Sequence, residues 1–246
     1  MGRPASVRVL FTNDLHGKLS DAGAEYLARL KAERSGTLLL DSGDAIRTGN
    51  IGIPLRPEPV WQRMEVADYD ALTLGNREFH VTEGGLRAKL KGAPMPVLCA
   101  NMYVQRPEEP RLAPYVLLRV GERTVGVLGL SVPMVTPRMV ASALSNFLFE
   151  DPLASAARFA PELRAKCDVL VALTHVGLKV DRKLAGAGLG FDLIVGGHSH
   201  DVLERPEAVD GVPIVQAGSH GRFVGEVVLS LSPSPRLSSY RLLPLS

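Results

Sequence analysis

Residues 7–17 read VRVLFTNDLHG, an apolar run that stops at a polar loop containing Asp14 and His16. Residues 37–44 read TLLLDSGD and repeat the pattern, with Asp44 just beyond a glycine. Continuous apolar runs of this length, bounded by glycine and polar residues, are typical of strands buried on both faces of a parallel sheet. The two stretches therefore predict an α/β fold with polar side chains gathered where strands end.

The rest of the chain alternates in the same way. Apolar spacing and capping residues predict helices over residues 23–34, 81–91 and 151–166. Strands are predicted at residues 7–12, 37–41, 71–74, 94–100, 115–120, 123–130, 168–174, 192–195, 214–217, 223–231 and 236–243. No repeat and no linker divides residues 1–246, so we expect one α/β domain with two packed sheets flanked by helices.

Composition excludes several classes of protein. Hydrophobic residues make up 46% of the chain, which excludes global disorder. The 28 basic and 26 acidic residues give a net charge of +2, so no surface that coats nucleic acid is expected. Two cysteines, Cys99 and Cys167, lie in or beside apolar runs and are predicted to be buried thiols.

Location is inferred from two features. The longest apolar runs are far shorter than the roughly 18–20 residues that span a bilayer. No leader-like apolar segment precedes the first strand at Val7. We therefore expect a cytoplasmic protein that does not associate with membranes.

Five polar motifs follow predicted strands: residues 13–17, 41–44, 75–80, 173–177 and 196–200. Binding sites in α/β sheets form at the carboxyl ends of strands, so these motifs are expected to face one crevice. Their candidate metal ligands are Asp14, His16, Asp44, Asn76, His175, His198 and His200.

This donor set favours two metal ions. Two carboxylates, one amide and four imidazoles are too many for one tetrahedral ion, but they suit two ions if one carboxylate bridges. Mixed nitrogen and oxygen donors favour manganese, which we place first, or zinc, iron or cobalt, over calcium. Two divalent ions and two aspartates would leave a charge of about +2, which matches a phosphate dianion.

The five motifs, in this order and spacing, resemble those of the calcineurin-like metallophosphoesterases, and within them the catalytic domain of the 5′-nucleotidase family. The resemblance covers nearly the whole chain and implies a four-layer α/β/β/α sandwich with a dinuclear metal site. It also implies that Asp14, His16 and His200 hold one ion and Asn76, His175 and His198 the other, with Asp44 bridging.

The sequence departs from that family at two catalytic positions. Where the family pattern has a histidine and an aspartate, this chain has Arg77 and His80. Arginine stays charged and cannot donate a proton, but it can bind phosphate oxygens and offset developing charge. His80 can relay or donate a proton. We predict both as catalytic residues; the alternative is a degenerate site that binds metal and phosphate with little turnover.

A second departure concerns length. The resemblance implies a further C-terminal domain that binds the nucleoside, whereas this chain ends at Ser246, so that domain is expected to be absent. No aromatic pair clearly replaces a base clamp, since Trp61 is interpreted as a packing residue. His220 is interpreted as a structural or supporting residue.

The sequence thus predicts a dinuclear metallophosphoesterase for small-molecule phosphate esters, with a metal-bound hydroxide as nucleophile. Phosphomonoesters such as nucleotides come first among the expected substrates. Two alternatives stay open: a phosphodiesterase, and a non-catalytic metal-containing module that binds phosphate or nucleotide.

Overall fold

Two six-stranded sheets form the centre of the protein, whose computed structural model describes residues 6–106 and 111–245. The strands are β1 (Ser6–Thr12), β2 (Thr37–Asp41), β3 (Ala71–Thr73), β4 (Val97–Leu98), β5 (Met102–Val104), β6 (Tyr115–Val120), β7 (Arg123–Ser131), β8 (Phe147–Phe149), β9 (Val169–His175), β10 (Leu193–Val195), β11 (Glu207–Val209), β12 (Val212–Val215), β13 (Phe223–Ser230) and β14 (Arg236–Pro244). The helices are α1 (Asp21–Ala32), α2 (Pro59–Val66), α3 (Glu83–Leu90), α4 (Pro152–Arg164) and α5 (Leu178–Ala185), with a 3-10 turn at Val140–Ala143.

Each large sheet has a parallel centre. The first has the order β14-β13-β1-β2-β3-β4, in which β1 to β4 run parallel and β13 and β14 are antiparallel additions. The second has the order β11-β12-β10-β9-β7-β6, with β7, β9, β10 and β12 parallel. The small pair β5–β8 is separate. The parallel strands give each sheet one edge at which their carboxyl ends meet.

The two sheets pack face to face through an apolar core. The inward residues of β1, such as Val9 and Phe11, belong to the same buried cluster as Val127 of β7 and Val171 of β9. The alternate residues of these strands point outward. Leu10 packs with α1 and α2, while the outer side chains of the second sheet pack with α4 and α5. This arrangement confirms the predicted four-layer α/β/β/α sandwich and its single domain.

The differences from the predicted elements have physical causes. The strand predicted over residues 94–100 shrinks to Val97–Leu98, since Pro94 and Pro96 lack a backbone donor. Helix α5 was not predicted, because Asp181 lies on its buried side and breaks the apolar pattern. Helix α2 and strands β5, β8 and β11 were also not predicted.

The packing predictions hold in most cases. Trp61 is 2% exposed and donates its indole N–H to the carbonyl of Lys89, 3.0 Å away. Cys99 is buried as predicted, whereas Cys167 is only half-buried. Residues 1–5, which the location prediction used, lie outside the described residues. Within residues 6–106 and 111–245, no helix is long and apolar enough to cross a membrane.

The pairing of Gly225 with Phe11 across β13 and β1 tests the central core. A Cβ added at Gly225 would lie 2.0 Å from the Phe11 ring, so we expect Gly225→Ala to lower the free energy of unfolding by about 1–3 kcal/mol. The control is Gly84→Ala in α3, where a new Cβ meets no atom within 4 Å. This substitution should raise the free energy of unfolding by about 0.5–1 kcal/mol. Urea unfolding measures both; a Gly225→Ala protein as stable as the parent would contradict this packing.

Candidate functional site

The carboxyl ends of five parallel strands open into one crevice between the sheets. The seven candidate ligands all lie there: Asp14 and His16 follow β1, Asp44 follows β2, Asn76 follows β3, His175 ends β9, and His198 and His200 follow β10. Two packed sheets thus bring together side chains up to 186 positions apart, the separation of Asp14 from His200.

One group of ligand atoms gathers around Asp14. The Oδ1 atom of Asp14 lies 3.1 Å from Nε2 of His200 and 3.7 Å from Nε2 of His16. The same nitrogen of His16 is 3.5 Å from Oδ2 of Asp44. These atoms are close enough to share one ion, and their mixture of oxygen and nitrogen suits a transition metal.

A second group gathers around Asn76. Its amide oxygen lies 3.1 Å from Nε2 of His175 and 3.0 Å from Nδ1 of His198. The Nε2 atom of His175 is also 3.5 Å from Oδ1 of Asp44. Asp44 therefore stands between the two groups, with Oδ2 near the first and Oδ1 near the second.

The backbone of these loops is held in a rarely populated conformation. Among the described residues, eight that are not glycine have a positive φ, and six of them line the crevice: Asp14, His16, Asp44, His198, His200 and His220. Aspartate and histidine tolerate this region better than most residues, but it is still uncommon. Such clustering is typical of sites where the surrounding structure fixes side-chain direction for function.

Two buried atoms in the crevice lack a hydrogen-bond partner among the described residues: Oδ1 of Asp14 and Nε2 of His16. Leaving a buried polar atom unpaired costs about 1–3 kcal/mol, so each needs an explanation. Both face the first ligand group, where a divalent cation would satisfy them. The residues present therefore fit a metal ion on the evidence of their own unsatisfied atoms.

Neighbouring groups orient the ligands for that task. The other oxygen of Asp14, Oδ2, accepts from the side chain of Asn13 at 2.8 Å and from the amide of His198 at 2.9 Å, which leaves Oδ1 for the crevice. Nδ1 of His175 lies 2.7 Å from the carbonyl of Ser42 and must donate to it. Its Nε2 lone pair is then free to bind a metal, as is usual for histidine ligands.

Glu78 was not predicted as a functional residue, yet it organises the crevice. Its buried carboxylate accepts from the amides of Asp44 at 2.9 Å, Gly75 at 3.0 Å and Ile46 at 3.1 Å. Three backbone donors on one carboxylate fix the loops after β2 and β3 against each other. The sequence offers one signal for this role, since Glu78 is an acidic residue in a motif that begins with Gly75.

Lys89 is a second residue that sequence reasoning missed. Its ammonium group is buried and donates to four carbonyls, those of Gly49, Asn50, Arg77 and Phe79, at 2.6–2.9 Å. Burial lowers its pKa to about 8, although nearby carboxylates oppose the shift. The cation therefore joins the loop after β2 to the segment after β3.

The two predicted catalytic residues occupy different places. Arg77 lies in the crevice, with its amide donating to Oδ1 of Asp44 at 2.8 Å and its Nε atom 3.7 Å from Oδ2 of Asp44. His80 lies outside it, with Nδ1 accepting from the amide of Thr82 at 3.1 Å. No described hydrogen bond or ion pair joins His80 to a candidate ligand.

His220 lies closer to the crevice than its sequence context suggested. Its ring centroid is 4.8 Å from that of His16 and 6.0 Å from that of His200. Its amide donates to the carbonyl of Asp14 at 2.8 Å, so it also supports the first ligand loop. Burial and the neighbouring His16 lower its pKa, which favours a neutral ring beside the first group.

The charges of the first group are strongly linked. Burial alone would lower the pKa of His16, but the carboxylates of Asp14 and Asp44 outweigh it and raise the pKa to about 9. Burial would likewise raise the pKa of Asp44, yet His16 and His175 lower it. The site therefore stabilises positive charge between two carboxylates.

Comparison with known proteins gives consistent results. The family model described as calcineurin-like phosphoesterase matches residues 7–202. Protein UshA of Yersinia enterocolitica is 30% identical over 98% of this chain and 52% of its own length, and 5′-nucleotidase of Bos taurus is 29% identical over 91% and 46%. The crystal structure of a 5′-nucleotidase precursor from Thermus thermophilus superposes with a TM-score of 0.77 at 26% identity, over 97% of this chain and 54% of that one. The chain spans about half the length of the curated relatives it matches.

The raised pKa of His16 predicts a pH-dependent stability in metal-free protein. Because its pKa rises from 6.5 to about 9 on folding, the stabilisation is complete below pH 6.5 and lost as pH rises towards 9. We expect the difference in unfolding free energy between the parent and His16→Gln, measured in EDTA, to shrink across this window. The control is His220→Gln, which removes a neighbouring ring whose pKa is lowered and should show no such loss. A difference for His16→Gln that stays constant from pH 6 to 9.5 would contradict the assignment.

Proposed function

The chain belongs to the calcineurin-like phosphoesterase family, as its motifs predicted, and from this premise we propose that its crevice binds two divalent metal ions and hydrolyses phosphate monoesters. One observation carries the proposal: the two oxygens of Asp44 face two separate groups of ligand atoms, 3.5 Å from His16 on one side and 3.5 Å from His175 on the other. A carboxylate placed in this way suits a bridge between two cations.

We propose that two sets of residues hold the two ions. Asp14, His16 and His200 would hold one, Asn76, His175 and His198 the other, with Asp44 shared. Ions bound there would supply positive charge for the phosphate oxygens and acidify the attacking water. Manganese is proposed first, with zinc, iron or cobalt as alternatives, because the donors combine imidazole with carboxylate and amide oxygen and include no thiolate.

The protein's own contribution beyond metal binding centres on Arg77. Its guanidinium lies beside Asp44 and carries a permanent charge, so it can bind non-bridging phosphate oxygens as negative charge develops. It cannot donate a proton to the leaving group. His80, whose Nδ1 is engaged by Thr82, offers only Nε2 for contact with a substrate. Neither Arg77 nor Nδ1 of His80 can therefore protonate a leaving group.

We propose a narrower class of substrates than the family description gives. Several similar proteins are named 5′-nucleotidases, so nucleoside monophosphates are the first candidates to test. Phosphodiesters follow as the second candidate class. The cytoplasmic location expected from the sequence stays a prediction.

The decisive experiment removes one charge from the proposed bridge. We expect Asp44→Asn to lower phosphatase activity with Mn²⁺ more than about 100-fold and to reduce the bound metal per chain, because the amide has only one good ligand oxygen. The matched control is Asp210→Asn, an exposed aspartate whose φ of 48° resembles the 57° of Asp44. Activity on an aryl phosphate and on AMP, together with metal analysis, measures both effects.

The same assay separates the enzyme from the binding module. Turnover that is lost in Asp44→Asn and kept in Asp210→Asn supports the enzyme. Metal-loaded parent protein that binds phosphate but hydrolyses no ester would refute the enzymatic proposal in favour of the binding module.

Arg77 can be tested without disturbing the bridge. Since the backbone amide of residue 77, which donates to Oδ1 of Asp44 at 2.8 Å, is unchanged by the substitution, Arg77→Met should keep its metal and lose about 10²–10³-fold in kcat/KM. The control is Arg87→Met, a 65% exposed arginine on α3 that pairs with Glu83. An Arg77→Met enzyme with normal kcat/KM would exclude the side chain from the reaction.

A further inference from the structure

Beside the crevice lies a pocket of about 270 Å³ that the proposed function does not use. It is formed by the loop after β2, the segment after β3 and the segment that follows β7. Its apolar lining residues are Ile51, Phe79, Val81, Met134, Val135 and Ala141. Concave apolar sites with a few polar groups are the usual form of small-molecule sites in proteins.

The pocket and the crevice share one side chain, Asn76. Its amide oxygen contacts His175 and His198 on the crevice side, while its NH₂ group donates to Oδ1 of Asn50 at 3.0 Å, and both asparagines line the pocket. A phosphate bound in the crevice would therefore lie beside the pocket mouth. The group attached to that phosphate is the part of a substrate that reaches the pocket.

The polar atoms of the pocket are largely engaged. Asn50 and Asn76 bond to each other, and Nδ1 of His80 accepts from Thr82 at 3.1 Å. The neutral His80 ring then carries its proton on Nε2, which leaves one ring donor for a ligand. An occupant would meet mainly carbon surface, including Ile51, whose 94% exposure would fall on binding.

The chemistry of Arg77 favours one kind of occupant. An alkoxide leaves readily only when it is protonated; arginine cannot supply that proton, and the N–H of a neutral imidazole is too weak an acid to do so. An aryl oxide is a stabilised anion and departs without such help. The same aromatic ring would bury apolar surface in the pocket, which is favourable at about 25 cal/mol per Å².

We propose that this pocket binds the leaving group of aryl phosphate monoesters, so that the substrate class of the proposed phosphatase is phenolic rather than alkyl. This inference rests on the proposed function. In the reaction, a bond forms between phosphorus and the oxygen of water as the bond to the aryl oxygen breaks. The aryl oxide leaves with the electron pair and is protonated from solvent, and the protons released from water pass to solvent and phosphate.

The test fills the pocket and leaves the crevice intact. Ala141→Phe places a ring among the lining residues, and Ala143→Phe, on the same 3-10 turn but outside the lining, is the matched control. The substrates are phenyl phosphate and acetyl phosphate, an acyl phosphate that is already activated and whose leaving group is small. We expect Ala141→Phe to lower kcat/KM for phenyl phosphate by about 10- to 100-fold, the value of burying one apolar side chain, and to change acetyl phosphate less than about twofold.

A binding measurement supports the kinetics with non-hydrolysable probes. Benzylphosphonate should bind the Mn²⁺-loaded parent at least about tenfold more tightly than methylphosphonate, and Ala141→Phe should abolish the difference while Ala143→Phe keeps it. Ile51→Ser is a second variant, at an exposed position and without added charge, and it should also weaken the preference for benzylphosphonate.

The outcomes separate the two proposals. If Ala141→Phe and Ile51→Ser slow both substrates equally or neither, and benzylphosphonate has no advantage, the pocket assignment is wrong while the phosphatase stands. If the parent hydrolyses no ester, the proposed function is wrong, and the phosphonate comparison alone decides what the pocket binds.

Discussion

The crevice depends on one buried carboxylate that contains no ligand atom. Glu78 accepts three backbone N–H groups from the loops after β2 and β3 and thereby sets Asp44 between the two groups of ligands. Burial and the charge of Asp44 raise the pKa of Glu78, so the arrangement places two carboxylates in mutual repulsion. Lys89, buried against the same loops, offsets part of this repulsion. Cations bound at the ligand atoms would offset what remains of the repulsion.

Much of this architecture follows from local sequence. Apolar runs such as residues 37–41 identify strands, and the motifs after them identify polar groups at one edge, because parallel strands must align their ends. Other features have no local signature. The contact of Glu78 with Asp44 spans 34 positions and that of Lys89 with Gly49 spans 40, and neither follows a helical or strand period. Residues with this role are identifiable only once the loops are placed in three dimensions.

The direction in which a side chain points is the other feature that the sequence did not predict. Arg77 and His80 are three positions apart, yet the first lies beside Asp44 and the second packs at the start of α3, where a Cβ on Gly85 would lie 2.1 Å from its ring. Motif spacing places both residues near the site but does not determine which way each ring or chain turns. The left-handed backbone at Asp14, His16 and Asp44 is likewise a product of tertiary contacts, such as the bond from the amide of His16 to the carbonyl of Asp44.

The departures from the family pattern spare the candidate metal ligands. Asp14, Asp44 and His175 lie close enough together to hold a cation, Asn13 donates to Asp14, and His175 donates to the carbonyl of Ser42. Arg77 follows Asn76 directly in the chain and lies beside Asp44, whereas His80 lines the apolar pocket together with Asn76. A decaying site would be expected to lose ligands or leave polar groups stranded around the pocket. Here the changes leave the candidate ligands in place and put an arginine, which cannot donate a proton, directly after the ligand Asn76.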